Sequence, residues 1–284
     1  MEHRFCSTLK RMILFLLTLT LFQPAISQYY YNDIVLPGQN KDLQLYRSNK
    51  VKKVTIVSYE ANGNISQDFS CQLVPAADYS IITMTSTSGF SGASTLTSWH
   101  DKDGNLVKTT DSSGVSVTTY TYRYNSEKQL AEVSNLSLGK DNKDQQEEKH
   151  IWLYENGHPQ EMLHIRNGRD TLVTRFTLDE YQRVAEEVIP SKNGPSSKIY
   201  YYYNEGGQLT DIVQYNSRLQ QLIPDFMFEY NEKGQLTQLI SVTRGSTDYV
   251  TWKYSYLPNG LKAEEACYDK QKSLIGRVKY EYSF

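Results

Sequence analysis

The stretches Tyr203-Asn-Glu-Gly-Gly-Gln-Leu209 and Tyr230-Asn-Glu-Lys-Gly-Gln-Leu236 differ at one position, and they decide the fold of this chain. In both, an aromatic residue precedes a polar run that contains Gly, and an apolar residue follows. A tight turn needs a residue with positive φ, which Gly adopts without steric cost. Each stretch therefore predicts a β-hairpin in which Tyr ends the incoming strand and Leu opens the outgoing one.

Six weaker copies of this pattern occur along the chain. They span residues 59–65, 100–106, 124–130, 154–157, 178–184 and 256–261. From residue 100 onward the leading residues recur every 24 to 30 positions, with a longer gap after Tyr59. A regular period of this kind is typical of repeat architectures. Lys128 and Gln182 take the place of Gly in two copies, which predicts looser or differently typed turns there.

The strands that lead into the turns alternate aromatic and polar residues. Tyr120, Tyr122 and Tyr124 share one face, because successive side chains of a strand point to opposite sides. We therefore predict an all-β fold, an antiparallel meander of about eight tandem β-hairpins that forms one curled or closed barrel-like sheet. The sheet is expected over residues 54–284, with residues 28–53 leading into it and no helix of convincing length after Gln28.

The two ends of this sheet are expected to differ. The repeat turns are tight and similar, whereas the other connections range from short ones at residues 167–170 and 244–248 to a long charged loop at residues 139–149. Variable loops on a rigid scaffold often carry binding. Residues 200–203 are all tyrosine, so this strand either has both faces covered or exposes a small aromatic patch.

An aromatic-rich strand, a polar turn with Gly and then Leu, repeated every 20 to 30 residues, resembles the YD repeat of bacterial RHS-type envelope proteins. The pattern is also similar to small secreted bacterial domains with a porin-like β-fold. The resemblance covers residues 54–284, although the Asp typical of the YD motif is replaced by Asn125, Asn204 and Asn231. It implies a β-repeat shell or barrel and no enzymatic activity.

Residues 1–27 have the features of a cleavable signal peptide. A basic stretch precedes an apolar run of 11 residues, and small residues precede a cut ahead of Gln28. The run is shorter than the roughly 20 residues that span a bilayer, which disfavours an uncleaved anchor. We expect export to the periplasm, outer membrane or extracellular surface of a bacterium. The remaining chain has a net charge of −4 and no basic patch, which disfavours nucleic acid as a partner.

The sequence contains no recognisable catalytic or metal-binding motif. Histidines at positions 100, 150, 158 and 164 do not form a zinc motif. The calcium-like run at residues 101–105 coincides with a repeat turn, which explains its composition. Glu186 and Glu187 cannot flank one glycosidic bond, because adjacent strand residues face opposite sides. We therefore predict a protein that is not an enzyme, with no catalytic residues, no metal site and no cofactor.

Two cysteines could form a disulfide. Cys71 and Cys267 each lie six residues after the apolar residue that follows a turn, one in the first repeat and one in the last. A disulfide requires Cα atoms within about 7 Å, so an open sheet would keep the two apart and a closed barrel could bring them together. An oxidising compartment would permit the bond.

Two main classes of function fit these features. The first is a non-enzymatic binding or structural module of the envelope that recognises carbohydrate or an envelope protein, since Tyr and Trp offer flat apolar faces with polar tips. The candidate binding residues are Tyr122, Tyr124, Trp152, Tyr154, Tyr201, Tyr203, Tyr230, Trp252 and Tyr254. The second is a porin-like outer-membrane β-barrel, favoured by an even strand count near 16 and a carboxyl-terminal aromatic residue. Against this second class, Thr174, His150 and Gln238 interrupt the candidate lipid face. An unrecognised hydrolase is a further alternative.

Overall fold

The computed structural model describes residues 28–39, 41–89, 92–139, 145–192, 194–216, 219–243 and 246–284, so the predicted signal peptide lies outside the described residues. The chain begins with a π-helical turn (Tyr30–Val35), α1 (Leu36–Gln39) and α2 (Asp42–Ser48). The strands are β1 (Lys53–Glu60), β2 (Phe69–Pro75), β3 (Ile81–Ser88), β4 (Gly92–His100), β5 (Leu106–Ser113), β6 (Ser116–Tyr124), β7 (Leu130–Gly139), β8 (Gln145–Glu155), β9 (His158–Arg166), β10 (Asp170–Leu178), β11 (Val184–Ile189), β12 (Ser197–Tyr203), β13 (Leu209–Asn216), β14 (Gln221–Tyr230), β15 (Leu236–Val242), β16 (Tyr249–Tyr256), β17 (Lys262–Tyr268) and β18 (Leu274–Ser283).

These 18 antiparallel strands form one closed barrel. Each strand pairs with the next along the chain, and β18 pairs with β1 from Lys53 opposite Ser283 to Glu60 opposite Gly276. Closure removes the edge strands whose unpaired backbone groups would invite aggregation. The predicted all-β antiparallel meander is confirmed, and the sheet is closed rather than merely curled.

The strand count is 18, whereas about eight hairpins were expected. The eight recognised turns are flanked by 16 strands, and the remaining two are β3 and β18. Strand β3 follows a turn at residues 76–80 in which Tyr79 has a φ of 60°, and β18 follows a turn in which Lys272 has a φ of 63°. The turn at residues 76–80 has neither Gly nor a leading aromatic residue. The turn after β17 has a leading Tyr268 and a closing Leu274, like the copy at residues 124–130 that also lacks Gly, but it was not among the recognised copies.

Seven of the eight recognised turns share one backbone geometry, whereas the turn at residues 154–157 has positive φ at both Asn156 and Gly157. Gly207 has a φ of 77° and donates its N–H to the carbonyl of Asn204, at 3.0 Å. Lys128 and Gln182 have a φ of 62° and make the equivalent bonds at 3.0 Å. The prediction of looser turns at these two copies was therefore wrong, because the fold imposes the left-handed conformation on ordinary side chains.

The predicted division between the two ends of the barrel holds for seven of the eight recognised turns and fails for one. Seven of the recognised turns share one end, here called the turn end, with the turn at residues 76–80. The turn at residues 59–65 lies at the opposite end, here called the loop end. The charged loop expected at residues 139–149 is shorter, since residues 145–149 belong to β8 and residues 140–144 lie outside the described residues.

The N-terminal segment lies inside the barrel. Tyr29 and Tyr31 are buried in one apolar cluster with inward residues of β7 to β18, and Tyr46 is buried in a second cluster with residues of β1 to β3. Helix α2 covers the turn end, where a side-chain carbon of Leu43 would lie 3.6 Å from a Cβ at Gly104. After Gln28 the described residues contain only these three short helical turns, of six, four and seven residues, which are too short to show a helical period in the sequence. Within the described residues, no helix is long and apolar enough to cross a membrane.

Candidate functional site

The nine aromatic residues predicted to bind a ligand all point into the barrel lumen. Trp152, Tyr201 and Trp252 are buried, and the other six pack against the same cluster as partly buried residues. The structure thus brings all nine together, on the face that the alternation predicted. The chain's own N-terminal segment packs against these side chains in the lumen. Their role in binding a ligand stays a prediction.

Aromatic contacts hold this segment in place. The ring of Tyr30 meets that of Tyr201 edge-on, with centroids 5.2 Å apart. The ring of Tyr31 lies 5.7 Å from both Phe226 and Phe228. Such pairs contribute about 0.5–1.5 kcal/mol each beyond the burial of their area. The segment therefore serves as part of the core.

Glu187, a buried carboxylate of β11, contacts the start of the N-terminal segment. Its side chain accepts hydrogen bonds from the backbone N–H groups of Tyr29 and Tyr30, at 3.0 and 3.2 Å, and from the hydroxyl of Tyr201 at 2.6 Å. Burial raises the pKa of Glu187 to about 8, although these three donors favour the charged form. Glu187 thus fastens the segment to β11 and β12, and its charge state depends on pH near neutrality.

A cluster of titratable side chains lies on the lumen side of β8 and β9. His150 and His164 are directly opposite each other, and Glu148 precedes His150 by two residues on the same face. One potential ligand atom from each residue lies within 4.8 Å of the others. The Nε2 atom of His164 is 3.6 Å from an oxygen of Glu148.

The N-terminal segment positions both imidazole rings. Oδ2 of Asp33 lies 2.7 Å from Nδ1 of His150, and the hydroxyl of Tyr29 lies 2.7 Å from Nδ1 of His164. Asp33 also accepts a 3.2 Å hydrogen bond from the indole of Trp152. Because Nδ1 of each ring is engaged, Nε2 is the nitrogen left for a further bond.

The charges in this cluster are strongly coupled. Burial opposes protonation of His150, but the carboxylates of Asp33, Glu148 and Glu187 together outweigh burial and raise the pKa of His150. The nearby His164 ring and the charge of Arg166 lower the pKa of Glu148. The other Glu148 oxygen pairs with Nε of Arg166 at 3.1 Å. Glu148 is therefore ionised. Arg166 pairs with one of its oxygens, and the other oxygen faces His164.

A second polar cluster lies on the inner side of β17 and β18. Lys262 pairs with Glu265 at 2.8 Å, and Glu265 also accepts a 2.6 Å hydrogen bond from the hydroxyl of Tyr280. Although burial opposes its charge, the Glu265 carboxylate raises the pKa of Lys262 well above the usual value. The cation and the carboxylate are thus paired inside the barrel, which avoids the cost of a lone buried charge.

An exposed aromatic patch lies on the outer surface of β12 to β14. Tyr202 and Tyr215 are 48% and 51% exposed, Leu222 opposite Tyr215 is 51% exposed, and Tyr200 is half-buried. The run at residues 200–203 therefore has tyrosine on both faces and exposes the predicted patch. Tyr201 and Tyr203, the two members named as candidates, face inward, and the outward pair was not among them.

Other predicted positions have ordinary structural roles. Cys71 and Cys267 are both buried and unbonded, on strands separated by two others, which at about 4.8 Å per spacing places the strands about 14 Å apart. Burial raises the pKa of their thiols to about 11 and about 12. The Asp101 carboxylate accepts two backbone N–H bonds within its own turn, at 2.9 Å each.

The cluster around His150 was missed by motif inspection, which considered spacing along the chain. His150 and His164 are 14 residues apart, and only the register of the hairpin brings them face to face. A register centred on Asn156 and Gly157 would have paired them, provided that the one-residue shift between Leu153 and Tyr154 was included. Asp33 and Tyr29 could not have been found in this way, because no local pattern places them in the lumen.

Comparison with known proteins gives distant similarities only. No protein-family model matches the chain, and no curated protein matches it. Among solved structures, a porin-like protein from Bacteroides uniformis is 11% identical, with a TM-score of 0.42 over 82% of this chain and 98% of that one. A porin-like protein from Bacteroides vulgatus is 12% identical, with a TM-score of 0.26 over 82% and 98%.

The TcdB2-TccC3 structure is 10% identical, with a TM-score of 0.35, and the match covers 80% of this chain but 14% of that chain. All three similarities have TM-scores below 0.5, which is too distant to carry a function from those proteins to this chain. A YD repeat is not confirmed by them.

Proposed function

We propose that this chain is an exported, non-enzymatic binding module that recognises carbohydrate through the outer aromatic patch, formed by Tyr200, Tyr202, Tyr215 and Leu222. The observation that carries the proposal is the exposure of Tyr202 and Tyr215 on a sheet whose other aromatic ladders are covered from within. Half-exposed tyrosine rings offer apolar faces on which sugar rings stack. The hydroxyl of Tyr215 also donates a 3.2 Å hydrogen bond to the side chain of Gln220, which holds that ring in place.

Charged side chains lie around Tyr200 and Tyr202 in this patch. Tyr200 and Tyr202 are two residues apart on one strand, so their side chains are about 6.6 Å apart. Asp211 lies opposite Tyr202, and Glu186, opposite Tyr200, pairs with Lys198 at 2.8 Å. These charged groups can hydrogen-bond the hydroxyls of a sugar. A protein interface usually takes about 20–30 residues a side, far more than this patch supplies.

The outer surface of the barrel carries paired charges, which favours a surface that faces water rather than lipid. Arg175 pairs with Glu161 at 3.0 Å across β9 and β10, and Glu264 lies opposite Lys279 in β17 and β18. A lipid-facing strand needs an apolar band about 25 Å tall. His150 and Thr174, which were expected to interrupt this band, point into the lumen. The outer charges of Arg175, Glu161, Glu264 and Lys279 interrupt the band instead.

A glycan array with the purified chain, followed by titration of the best-bound sugar, tests the proposal. Tyr202→Ala and Tyr215→Ala should each weaken binding at least tenfold. Val115→Ala, which removes an exposed apolar side chain from the turn between β5 and β6, should not. Absence of binding to any glycan, or equal binding by all four proteins, would refute carbohydrate recognition at this patch.

Cell fractionation tests the porin-like alternative separately. We expect the chain to be recovered in the periplasmic or extracellular fraction without detergent. Recovery only from outer membranes after detergent extraction would favour a membrane barrel.

A further inference from the structure

We propose that Glu148, His150 and His164 bind one divalent transition-metal ion, with Zn²⁺ as the first candidate, at the contact between the barrel wall and the N-terminal segment. The proposal is independent of carbohydrate recognition, since these residues lie in the lumen on β8 and β9 and the outer aromatic patch lies on β12 to β14.

The donor set is the first argument. Two imidazoles and a carboxylate are ligands that Zn²⁺ and related ions take, with bonds of about 2.0–2.2 Å. Two ligands of a tetrahedral ion with such bonds are about 3.4 Å apart. His164 Nε2 and Glu148 Oε2 are separated by 3.6 Å, and the whole donor set lies within 4.8 Å. Small side-chain rotations would therefore complete the site.

The second argument is an unsatisfied atom. The His164 side chain is 3% exposed, and its Nε2 atom is one of the few buried polar side-chain atoms without a hydrogen-bond partner among the described residues. Buried polar groups without partners cost free energy, so they are rare and call for an explanation. A metal ion bound at Nε2 would satisfy this atom.

The third argument is the set of partners behind the ligands. Metal-bound histidines usually donate their other ring N–H to an oxygen, which fixes the tautomer and the ring orientation. Asp33 and Tyr29 occupy these positions at 2.7 Å from the two Nδ1 atoms. Arg166 holds the outer oxygen of Glu148, so that a single carboxylate oxygen remains for the ion.

The site also has an entry path. The Glu148 side chain is 40% exposed, whereas His164 is buried behind it. An ion could therefore enter past Glu148 from the loop end. Three protein ligands would leave a fourth position for water. Since Asp33 and Tyr29 belong to the N-terminal segment, a bound ion would also strengthen the attachment of this segment to the wall.

Calorimetric titration of Zn²⁺ into the untagged, chelator-treated chain tests the proposal. We expect one ion per chain, a higher melting temperature with Zn²⁺, and a tetrahedral-type visible spectrum with Co²⁺. Glu148→Gln should weaken binding at least tenfold, as should His164→Ala. Asp33→Asn should weaken binding by about 10–100-fold, the usual effect of losing such a partner.

His158→Ala is the matched control, since it removes a histidine from the same hairpin at the turn end, and it should bind Zn²⁺ as the native chain does. If the buried His164→Ala variant does not fold, the half-exposed Glu148→Gln variant still decides the matter. No stoichiometric binding by the native chain, or equal binding by Glu148→Gln and His158→Ala, would overturn the assignment.

Discussion

The hydroxyl of Tyr230, at the end of β14, donates a 2.8 Å hydrogen bond to the backbone carbonyl of Leu209, at the start of β13. The bond joins one repeat turn to the preceding one. It recurs around the barrel from Tyr124 to Leu106, Tyr154 to Leu130, Tyr203 to Val184, Tyr256 to Leu236 and Tyr282 to Lys262, at 2.7–2.9 Å. The leading tyrosine of the motif thus fastens neighbouring hairpins together.

The Gln of the motif links its turn to the following turn, whereas the Tyr links its turn to the preceding one. Nε2 of Gln208 donates to the carbonyl of Gly234 in the next turn, at 3.1 Å, while Oε1 accepts from the amide of Asn204 in its own turn, at 3.3 Å. The Asn that replaces the Asp of the YD pattern is therefore matched to Gln, because it must donate a hydrogen bond here. In the turn at Asp101 the roles reverse, since Asn105 donates to the carboxylate at 2.9 Å.

Tyr230→Phe should lower the free energy of unfolding by about 0.5–1.5 kcal/mol, because it removes one hydrogen bond and leaves the Leu209 carbonyl without that donor. Urea denaturation measures the change. Tyr181→Phe, at a tyrosine that is 69% exposed, is the matched control and should be neutral. Equal stability of the two variants would show that the inter-repeat bond contributes nothing.

Gln182→Gly should stabilise the chain by about 0.5–1 kcal/mol. A left-handed conformation costs an ordinary residue about 1–2 kcal/mol, and the greater freedom of Gly in the unfolded chain offsets part of the gain. Glu180→Gly, in the same turn but at negative φ, should destabilise instead. Thermal melting of both variants checks the sign, and a destabilised Gln182→Gly variant would contradict the turn geometry.

Glu187 should make stability depend on pH. Its pKa is raised to about 8 in the folded chain from an ordinary 4.5, so folding favours the protonated form. Its contribution is full below about pH 4.5 and is lost as pH rises toward 8. The titratable groups near it are Asp33, His150 and the neutral hydroxyl of Tyr201.

The stability advantage of the native chain over Glu187→Gln should therefore shrink as pH rises from 5 to 8, as measured by urea denaturation at each pH. Parallel pH profiles for the two proteins would mean that Glu187 keeps its ordinary pKa.

Tyr31→Ala should cost about 3–5 kcal/mol, the usual effect of removing a buried aromatic side chain. Tyr31 is 4% exposed and contacts Phe226 and Phe228. Tyr215→Ala, which removes the same atoms from the outer surface, should cost less than about 1 kcal/mol. Similar losses for the two variants would argue against a buried N-terminal segment.

The sequence predicted those features that depend on residues close together along the chain, namely the inward face of the aromatic-rich strands and the position of most turns. Period-two alternation placed Tyr122 and Trp152 on one face, and Gly207 marked a turn with positive φ. The turn at Tyr79 has neither Gly nor a leading aromatic residue, and the turn at Lys272 keeps the leading Tyr and closing Leu but lacks Gly. Local signals thus gave the hairpins but undercounted them.

Closure and lumen filling depend on contacts between distant residues. The pairing of Val54 with Tyr282 joins the two ends of the sheet, and no local pattern encodes it. The contact of Tyr29 with His164 spans 135 residues, so the candidate metal site is assembled only after the barrel has closed around the segment. Of the two candidate sites, only the outer aromatic patch could be predicted from strand alternation, because consecutive tyrosines must lie on both faces of a strand.

The claim that the barrel closes around its own N-terminal segment is tested most directly by hydrogen–deuterium exchange of the backbone amides at residues 29–36. The structure predicts that Tyr29 and Tyr30, whose N–H groups are bonded to buried Glu187, exchange as slowly as the paired amides of β11 and β12. Exchange as fast as that of the exposed turn at residues 231–235 would show that the segment does not occupy the lumen.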